Sequence, residues 1–276
     1  MITTDFIPGS PAWLDLGAPD LDAAAGFYGT VFGWEFQSLG PEAGGYGFFR
    51  LDGRTVGAAG PLNEQGARPA WMVYFRTDDA DASARTVEET GGTVRAAPID
   101  VDGAGRMGQF TDPQGAQFAV WQPGENKGLE AVDQPGALVW SELYTTDAPA
   151  AKEFYGTLFG WETQDMPLPG GGADGATYTL IGPPGGGSDD PAQDRMHGGV
   201  MQLPPENLAL NGFRPYWHPV FGSTDCDATV SAVTGNGGSV QMGPEDAEGV
   251  GRLAVCIDPF GADFVVLTPA MPTGQD

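Results

Sequence analysis

One stretch of about twenty residues decides the fold because it occurs twice. It reads WLDLGAPDLDAAAGFYGTVFGW at residues 13–34 and WSELYTTDAPAAKEFYGTLFGW at residues 140–161. Two later matches follow in the same order: residues 68–71 with 214–217, and residues 112–116 with 258–262. An internal repeat of this length indicates two copies of one structural unit, placed in tandem.

The repeat divides the chain into two predicted domains, at residues 8–122 and 137–269, joined by a linker at 123–136. The linker is polar, with proline and glycine near both of its ends, as is typical of connecting segments. The second copy is longer, and the extra residues fall in a Gly/Pro-rich stretch at about 163–197. We expect a long loop there, placed to act as a lid.

Local signals predict the same elements in both copies. Asp20 is a helix N-cap and Gly33 the glycine after the helix, and Asp147 and Gly160 take these roles in the second copy. A strand precedes each helix, and short strands follow it. Each domain then continues with a further strand, a second helix that ends at a glycine, and more strands. Each domain is therefore predicted to contain a strand, a helix and further strands, followed by the same order a second time.

Composition excludes several classes of partner. The chain has 12 Lys and Arg against 37 Asp and Glu, a net charge of −25. Nucleic-acid binding needs a basic surface, so we expect no nucleic-acid partner. No uncharged apolar run reaches the roughly 18 residues of a membrane span, so we expect no membrane partner. The two cysteines lack disulfide or C-x-x-C spacing, which predicts a reducing, cytoplasmic setting.

The repeated motifs resemble those of the vicinal oxygen chelate superfamily, which includes glyoxalase I, bleomycin-resistance proteins and extradiol dioxygenases. They are Phe-Tyr and Phe-Gly-Trp after the first strand, and Asp-Pro-x-Gly-Ala before the last. The resemblance covers nearly the whole chain, twice. It implies an α+β fold of two tandem domains, each built from two βαβββ units whose curled mixed sheet forms a cup. Enzymes of the superfamily hold a divalent metal in that cup.

The positions that match the superfamily's metal ligands are mostly unsuited to a metal in this chain. Of these positions, only His218 has a side chain that binds metals. The others are Trp13, Ala58, Met72, Ala119, Trp140, Val200 and Val265. A catalytic metal normally needs about three protein ligands. We therefore expect no metal and no other cofactor.

The predicted cups combine aromatic and acidic side chains. Residues two apart on a strand share a face, which places Trp13 with Asp15 and Trp140 with Glu142. Aromatic faces stack on planar molecules and attract cations, and a carboxylate can pair with a cation. The predicted ligand-binding residues are Trp13, Asp15, Met72, Tyr74, Trp121, Trp140, Glu142, Tyr144, His218 and Leu267.

These residues predict metal-independent binding of a hydrophobic aromatic small molecule by a monomer or homodimer. The acidic charge favours a cationic ligand, and the role is either antibiotic sequestration or an accessory step of biosynthesis. The alternative is a glyoxalase- or dioxygenase-like enzyme, either metal-dependent or with His218 and Glu142 as acid and base. We expect the second cup to be the better site, since only it has His218 and Tyr144.

Structural interpretations of the same residues stay open. The cup tryptophans can fill a collapsed core, and His218 or His197 can be a hydrogen-bonded core residue. Arg106 and Arg252 match across the two copies. They either pair with the cup carboxylates or have a structural role elsewhere.

Overall fold

The computed structural model describes residues 2–62, 66–168, 177–185, 187 and 195–270, apart from the side chain at position 210. Much of the predicted insertion, and with it the predicted lid, lies outside these ranges. In the described part of the chain, no helix is long and apolar enough to cross a membrane.

The first half forms two successive strand–helix–strand units. Its elements are β1 (Pro11–Ala18), α1 (Leu21–Phe32), β2 (Glu35–Ser38), β3 (Gly47–Leu51), β4 (Arg54–Pro61), β5 (Ala70–Arg76), α2 (Ala80–Glu89), β6 (Thr93–Val101), β7 (Gly105–Thr111) and β8 (Gln117–Pro123). The second half repeats the order: β9 (Leu138–Thr145), α3 (Ala148–Phe159), β10 (Glu162–Pro167), β11 (Thr177–Gly182), β12 (Gly198–Gln202), β13 (Tyr216–Gly222), α4 (Cys226–Gly235), β14 (Ser239–Ala247), β15 (Gly251–Ile257) and β16 (Asp263–Pro269).

Each half contributes one eight-stranded mixed sheet. The strand orders are β2-β3-β4-β1-β5-β8-β7-β6 and β10-β11-β12-β9-β13-β16-β15-β14. Within each sheet parallel pairs such as β1 with β4 lie beside antiparallel pairs such as β7 with β8. The sheets are open rather than closed barrels, and few helices accompany them. The predicted α+β class with two tandem halves is confirmed.

The predicted helix ends are confirmed in both halves. Asp20 accepts a hydrogen bond from the amide of Ala23, and Asp147 does the same for Ala150, both at 3.0 Å. Gly33 and Gly160 adopt left-handed backbone conformations, with φ of 75° and 69°. A residue with a Cβ is strained there, which explains a glycine at both positions.

The structure corrects the expectation of one continuous loop at about 163–197. Two strands, β10 and β11, lie in this range and pair antiparallel with each other. Every residue of β10 is exposed, and this strand lies at the edge of its sheet. An exposed edge strand has no buried face, so it lacks the alternation of apolar residues that reveals a strand in a sequence.

The chain packs as two compact units, and each of them takes segments from both halves. One consists of residues 1–13, 72–129 and 140–218; the other consists of residues 14–71, 130–139 and 219–276. We call them unit 1 and unit 2. The predicted domain boundaries at 8–122 and 137–269 stay a prediction about sequence organisation.

Aromatic side chains from the repeated motifs form the core of each unit. In unit 2, the indole of Trp71 donates to the hydroxyl of Tyr28 at 3.0 Å, and Tyr28 donates to Asp258 at 3.2 Å. In unit 1, Trp217 donates to Tyr155 at 2.8 Å, and Tyr155 donates to Asp112 at 3.1 Å. The Phe-Tyr and Asp-Pro motifs therefore stabilise the core.

The other matched tryptophans fix the segments that precede each half. Trp161 donates its indole N–H to the carbonyl of Gly9 in unit 1, and Trp34 donates to the carbonyl of Gly136 in unit 2. The predicted linker is not solvated along its whole length. Part of it packs against the protein, since Leu129 is only 2% exposed. These two tryptophans are core residues.

Candidate functional site

Strand β9 presents the predicted residues of the second cup on one face. Its side chains alternate between a fully buried face, with Ser141, Leu143 and Thr145, and a half-buried face, with Trp140, Glu142 and Tyr144. The half-buried face is the more accessible of the two. The sequence-based assignment of these three residues to one face is consistent with this alternation.

A continuous chain of hydrogen bonds runs through this face. The indole N–H of Trp140 donates to the hydroxyl of Tyr178 at 2.8 Å, and Tyr178 donates to Oε1 of Glu142 at 2.7 Å. The other carboxylate oxygen, Oε2, lies 3.1 Å from Nε2 of His218. Both oxygens of Glu142 are therefore held, one by Tyr178 on β11, which reaches across β12, and one by His218 on the adjacent strand β13.

Aromatic rings surround the carboxylate–imidazole pair. The ring of His218 meets Tyr144 edge-on at a centroid distance of 4.5 Å and Tyr216 at 5.4 Å. His218 is fully buried, whereas the side chain of Glu142 remains 14% exposed. We call these six residues of unit 1 the second-cup cluster: Trp140, Glu142, Tyr144, Tyr178, Tyr216 and His218.

The surroundings of Glu142 keep it ionised. Burial alone acts to raise the pKa of Glu142, but the hydrogen bond and charge of His218, with hydrogen bonds from Tyr178 and Tyr144, outweigh it and lower the pKa. An ionised carboxylate only accepts hydrogen bonds, so Nε2 of His218 carries the shared proton. Burial, and then the charge of Glu142, raises the pKa of Tyr178 well above its usual value.

A glycine makes room for this arrangement. Gly199 on β12 lies opposite Glu142 in the parallel ladder with β9. A Cβ at position 199 would overlap the hydroxyl of Tyr178. Tyr178 therefore reaches Glu142 across position 199, where any residue other than glycine would displace the tyrosine.

The first half contains a similar pair. Tyr46 donates a hydrogen bond of 2.5 Å to Oδ1 of Asp15, within unit 2. The strand registers make Tyr46 equivalent to Tyr178. In each half the carboxylate aligns, through one intervening strand, with a residue of the next strand, and the tyrosine lies two positions before that residue. Sequence reasoning missed both tyrosines. The available signal was a tyrosine at the start of the second short strand after each repeated helix.

The remaining predicted residues of the first cup are more enclosed. Trp13, Tyr74 and Trp121 are 6%, 2% and 5% exposed. Trp121 donates its indole N–H to the carbonyl of Asn126 at 3.0 Å, which fixes the ring against the segment after β8. Met72 stands where the second half has His218, and it is half-buried. Leu267 on β16, predicted for the second cup, is also half-buried.

The matched arginines do not pair with the cup carboxylates. Arg106 binds Asp81 and Asp100 at 3.0 Å. Arg252 makes the equivalent ion pairs in unit 2, with Asp227 and Asp246. The acidic partners are half or more exposed, so these ion pairs are surface features of modest energy.

His197 is a core residue rather than part of the cluster. It is 2% exposed, and neither ring nitrogen has a hydrogen-bond partner among the described residues. Burial lowers its pKa to about 3, so the ring is neutral. Its nearest aromatic neighbour is the core residue Trp161, at a centroid distance of 5.4 Å.

The donor set of the second cup does not fit a catalytic metal. Within the residues that the structure describes, no group of three or more His, Cys, Asp or Glu side chains is placed to hold an ion. Glu142 and His218 bind each other, and their neighbours are tyrosines and a tryptophan. Two donors are fewer than the roughly three protein ligands that a catalytic site supplies.

The fold and the tandem organisation define a known class of protein. The family model described as Glyoxalase/Bleomycin resistance protein/Dioxygenase superfamily matches residues 10–120 and again 137–266. The chain belongs to this superfamily, and the resemblance seen in the sequence motifs is confirmed.

Several curated relatives align with this chain over nearly the whole length of both proteins. The anthracycline biosynthesis protein DnrV of Streptomyces peucetius is 40% identical over 279 residues, which cover 96% of this chain and 94% of that protein. The anthracycline biosynthesis protein DauV of Streptomyces sp. strain C5 is also 40% identical, over 99% of this chain and 98% of that protein. CFP32 of Mycobacterium tuberculosis is 35% identical over 97% of both chains.

Solved structures confirm the fold at low sequence identity. The Mn(II)-bound glyoxalase of Novosphingobium aromaticivorans has a TM-score of 0.60 at 16% identity, over 98% of this chain and 87% of that one. The 2,3-dioxygenase LapB of Pseudomonas sp. KL28 has a TM-score of 0.63 at 14% identity, over 97% and 96%. Similarity at this level shows the architecture, and function has to be argued from the site.

Proposed function

We propose that this chain binds a flat, hydrophobic aromatic small molecule in its second cup, without a metal, as an accessory protein of a biosynthetic pathway. The observation that carries the proposal is the chain of hydrogen bonds from Trp140 through Tyr178 and Glu142 to His218. It lies where the resemblance implies metal ligands in related enzymes. Here the same place holds stacking surfaces and an oriented carboxylate.

The aromatic residues supply the contact surface for such a ligand. Trp140, Tyr144 and Tyr178 are half-buried, so their rings are held by the protein but retain accessible area. Rings held in place bind a planar molecule at low conformational cost, and offset stacking adds about 0.5–1.5 kcal/mol per pair. A fused-ring aromatic molecule fits this chemistry best.

The carboxylate supplies polarity and favours a positive charge on the ligand. Glu142 is ionised because its neighbours lower its pKa, and 14% of its side chain remains exposed. A carboxylate among aromatic rings attracts an ammonium group through both charge pairing and cation–π contact. The net charge of −25 adds a long-range attraction for cations.

The relatives support an aromatic polyketide as the ligand class. DnrV and DauV are named for anthracycline biosynthesis and cover nearly all of this chain. Anthracyclines are fused-ring aromatic molecules, so their chemistry agrees with the cluster. We infer that the ligand is an intermediate or product of this kind, and that the protein carries it or sequesters it.

Tryptophan fluorescence titration tests the proposal. The probes are an anthracycline with an amino sugar and its neutral aglycone. We expect both to quench fluorescence, and Trp140→Ala to weaken binding about tenfold or more, as removal of a central aromatic contact does. The matched variant Trp13→Ala reports on the first cup. Binding that Trp140→Ala leaves unchanged would overturn the proposal.

The pair of Glu142 and His218 favours a second candidate, a metal-free acid–base enzyme. The two groups are 3.1 Å apart, and a carboxylate that orients an imidazole is a common proton-transfer arrangement. This candidate predicts that His218→Ala abolishes turnover of an anthracycline-type substrate and largely keeps binding. Chromatography of a ligand incubated with the wild-type protein and with His218→Ala separates the candidates, since a pure binding protein leaves the ligand unchanged in both.

A further inference from the structure

Four side chains of unit 1 form a row across neighbouring strands, on the same sheet face as Glu142. In strand order they are Met166 on β10, Tyr178 on β11, Met201 on β12 and Tyr144 on β9, and each is aligned with the next. We call these four residues the methionine–tyrosine row. Strands lie about 4.8 Å apart, so a row across four of them is about 14 Å long.

Contacts on the opposite face show which way the row points. Asp165 precedes Met166 on β10, and its carboxylate pairs with Lys152 of helix α3 at 3.0 Å and accepts a hydrogen bond from Thr179. Neighbouring residues of a strand point to opposite faces, so Met166 lies on the face away from α3. That is the face of the second cup.

The row is accessible along its whole length. Met166 is 43% exposed, and the other three members are half-buried. The rest of β10 is polar apart from a terminal proline, so Met166 is the one large apolar side chain of an exposed edge strand. Methionine is flexible and polarizable, makes favourable contacts with aromatic rings, and is common on surfaces that adapt to a bound molecule.

The first half lacks this row. Gly17 takes the place of Tyr144, and Gly60 takes that of Met201, counted from the aligned pairs that contain the two cup carboxylates. The two glycines are aligned with each other and present no side chains to a ligand. The row is therefore a property of the half that also has the carboxylate–imidazole pair.

We propose that the methionine–tyrosine row sets the length of the ligand in the second cup. The ligand class is an aromatic system of four linearly fused rings, laid from β9 to β10 with its cationic group at Glu142. This inference rests on the proposed function, and it adds Met166 and Met201 as specificity-determining residues. Two fused rings contact only the part of the row next to Glu142, whereas four rings reach Met166 at the sheet edge.

Fluorescence titration of the full chain with flat cations of increasing length tests the row. The probes are 4-aminoquinoline, 9-aminoacridine and the amino-sugar anthracycline, which have two, three and four fused rings. We expect affinity to rise with ring number. Met201→Ala should weaken binding of the two longer probes about tenfold, and Met166→Ala should weaken the anthracycline about threefold and 4-aminoquinoline less than about twofold.

The matched control is Ile99→Ala. Ile99 is a similarly exposed apolar residue, at 52%, on β6, another edge strand of unit 1. Its removal should keep all three affinities within about twofold. An equal effect of Met166→Ala on the shortest and longest probes, or no effect of either methionine variant, overturns the role of the row. The proposed function survives that result if Trp140→Ala still weakens binding, whereas no binding of any probe to the wild type contradicts both.

Methyl NMR of the chain labelled at methionine Cε locates the ligand in the unchanged site. The volume-conserving variants Met166→Leu and Met201→Leu identify the two signals. We expect the anthracycline to shift both signals in a saturable manner, and 4-aminoquinoline to leave the Met166 signal in place. An anthracycline that binds without shifting Met166 overturns the proposal. A Met166 signal that moves with protein concentration in the absence of any probe identifies a second copy of the chain as the occupant of this edge, which also overturns it.

Discussion

Gly199 and Tyr178 depend on each other: a Cβ at position 199 would overlap the Tyr178 hydroxyl, which donates to Glu142 at 2.7 Å. The glycine therefore positions the tyrosine, and the tyrosine positions the carboxylate. This dependence links a residue without a side chain to the chemistry of the second cup. It also allows the arrangement to be disturbed without removing any functional group.

We predict that Gly199→Ala displaces Tyr178 from Glu142. The extra methyl group costs about 1–3 kcal/mol of folding free energy, as overpacking does. Affinity for the amino-sugar anthracycline should fall, because Glu142 loses a donor that orients it. Chemical denaturation and fluorescence titration measure the two effects. The first half has alanine at the equivalent position, so Ala58→Gly is the control and should leave binding in the second cup unchanged.

Removal of the tyrosine hydroxyl should affect the two cups differently. Tyr178→Phe leaves the indole of Trp140 and one oxygen of Glu142 without this partner, and hydrogen bonds to charged groups contribute about 1.5–3 kcal/mol. We expect lower stability together with weaker binding. Tyr46→Phe removes the equivalent bond to Asp15 and should lower stability without weakening binding in the second cup. Equal loss of affinity in both variants would show that the second cup is not the main site.

The sequence predicts the fold well because its signals are local. Asp20 and Gly33 mark the ends of α1 from single positions, and the repeat carries the assignment to the second half. The pairing of the repeats in space is not local. Tyr155 binds Asp112, and Tyr28 binds Asp258, so each tyrosine uses the aspartate of the other half. The repeated motifs are nearly identical, so the sequence alone does not distinguish this pairing from one within each half.

The sequence predicts only some members of the second-cup cluster, because only some of them follow from local signals. Trp140, Glu142 and Tyr144 follow from the alternation of one strand, and His218 follows from the family positions. Tyr178 lies in a region where the two halves differ in length, so the repeat does not align it with Tyr46. Its contact with Glu142 spans 36 residues and needs the register of three strands.

Glu142 should make folding stability depend on pH in a defined direction. Its pKa is lowered in the folded state, so its contribution to stability is complete above the unfolded value of about 4.5 and is lost as the pH falls through the folded value. Urea denaturation from pH 3 to 7 measures this for the wild type and Glu142→Gln. The difference between the two should narrow below about pH 4.5. The exposed variant Glu162→Gln should follow the wild type, and a constant difference at all pH values would contradict an ionised Glu142.

Mutations in the core hydrogen-bond chains should lower the stability of the protein and leave its ligand affinity unchanged. Tyr155→Phe leaves Asp112 and the indole of Trp217 without their shared hydroxyl, at a cost of about 1–3 kcal/mol for buried groups. Tyr28→Phe makes the same change in unit 2 and should cost a similar amount. Because burial raises the pKa of Asp112 and of Asp258, neither carboxylate adds stability by ionising. Calorimetry should therefore show a lower unfolding temperature for both variants, with ligand affinity unchanged. If Tyr155→Phe lowers ligand affinity by more than its loss of stability accounts for, ligand binding depends on this core chain rather than on Trp140 and Glu142.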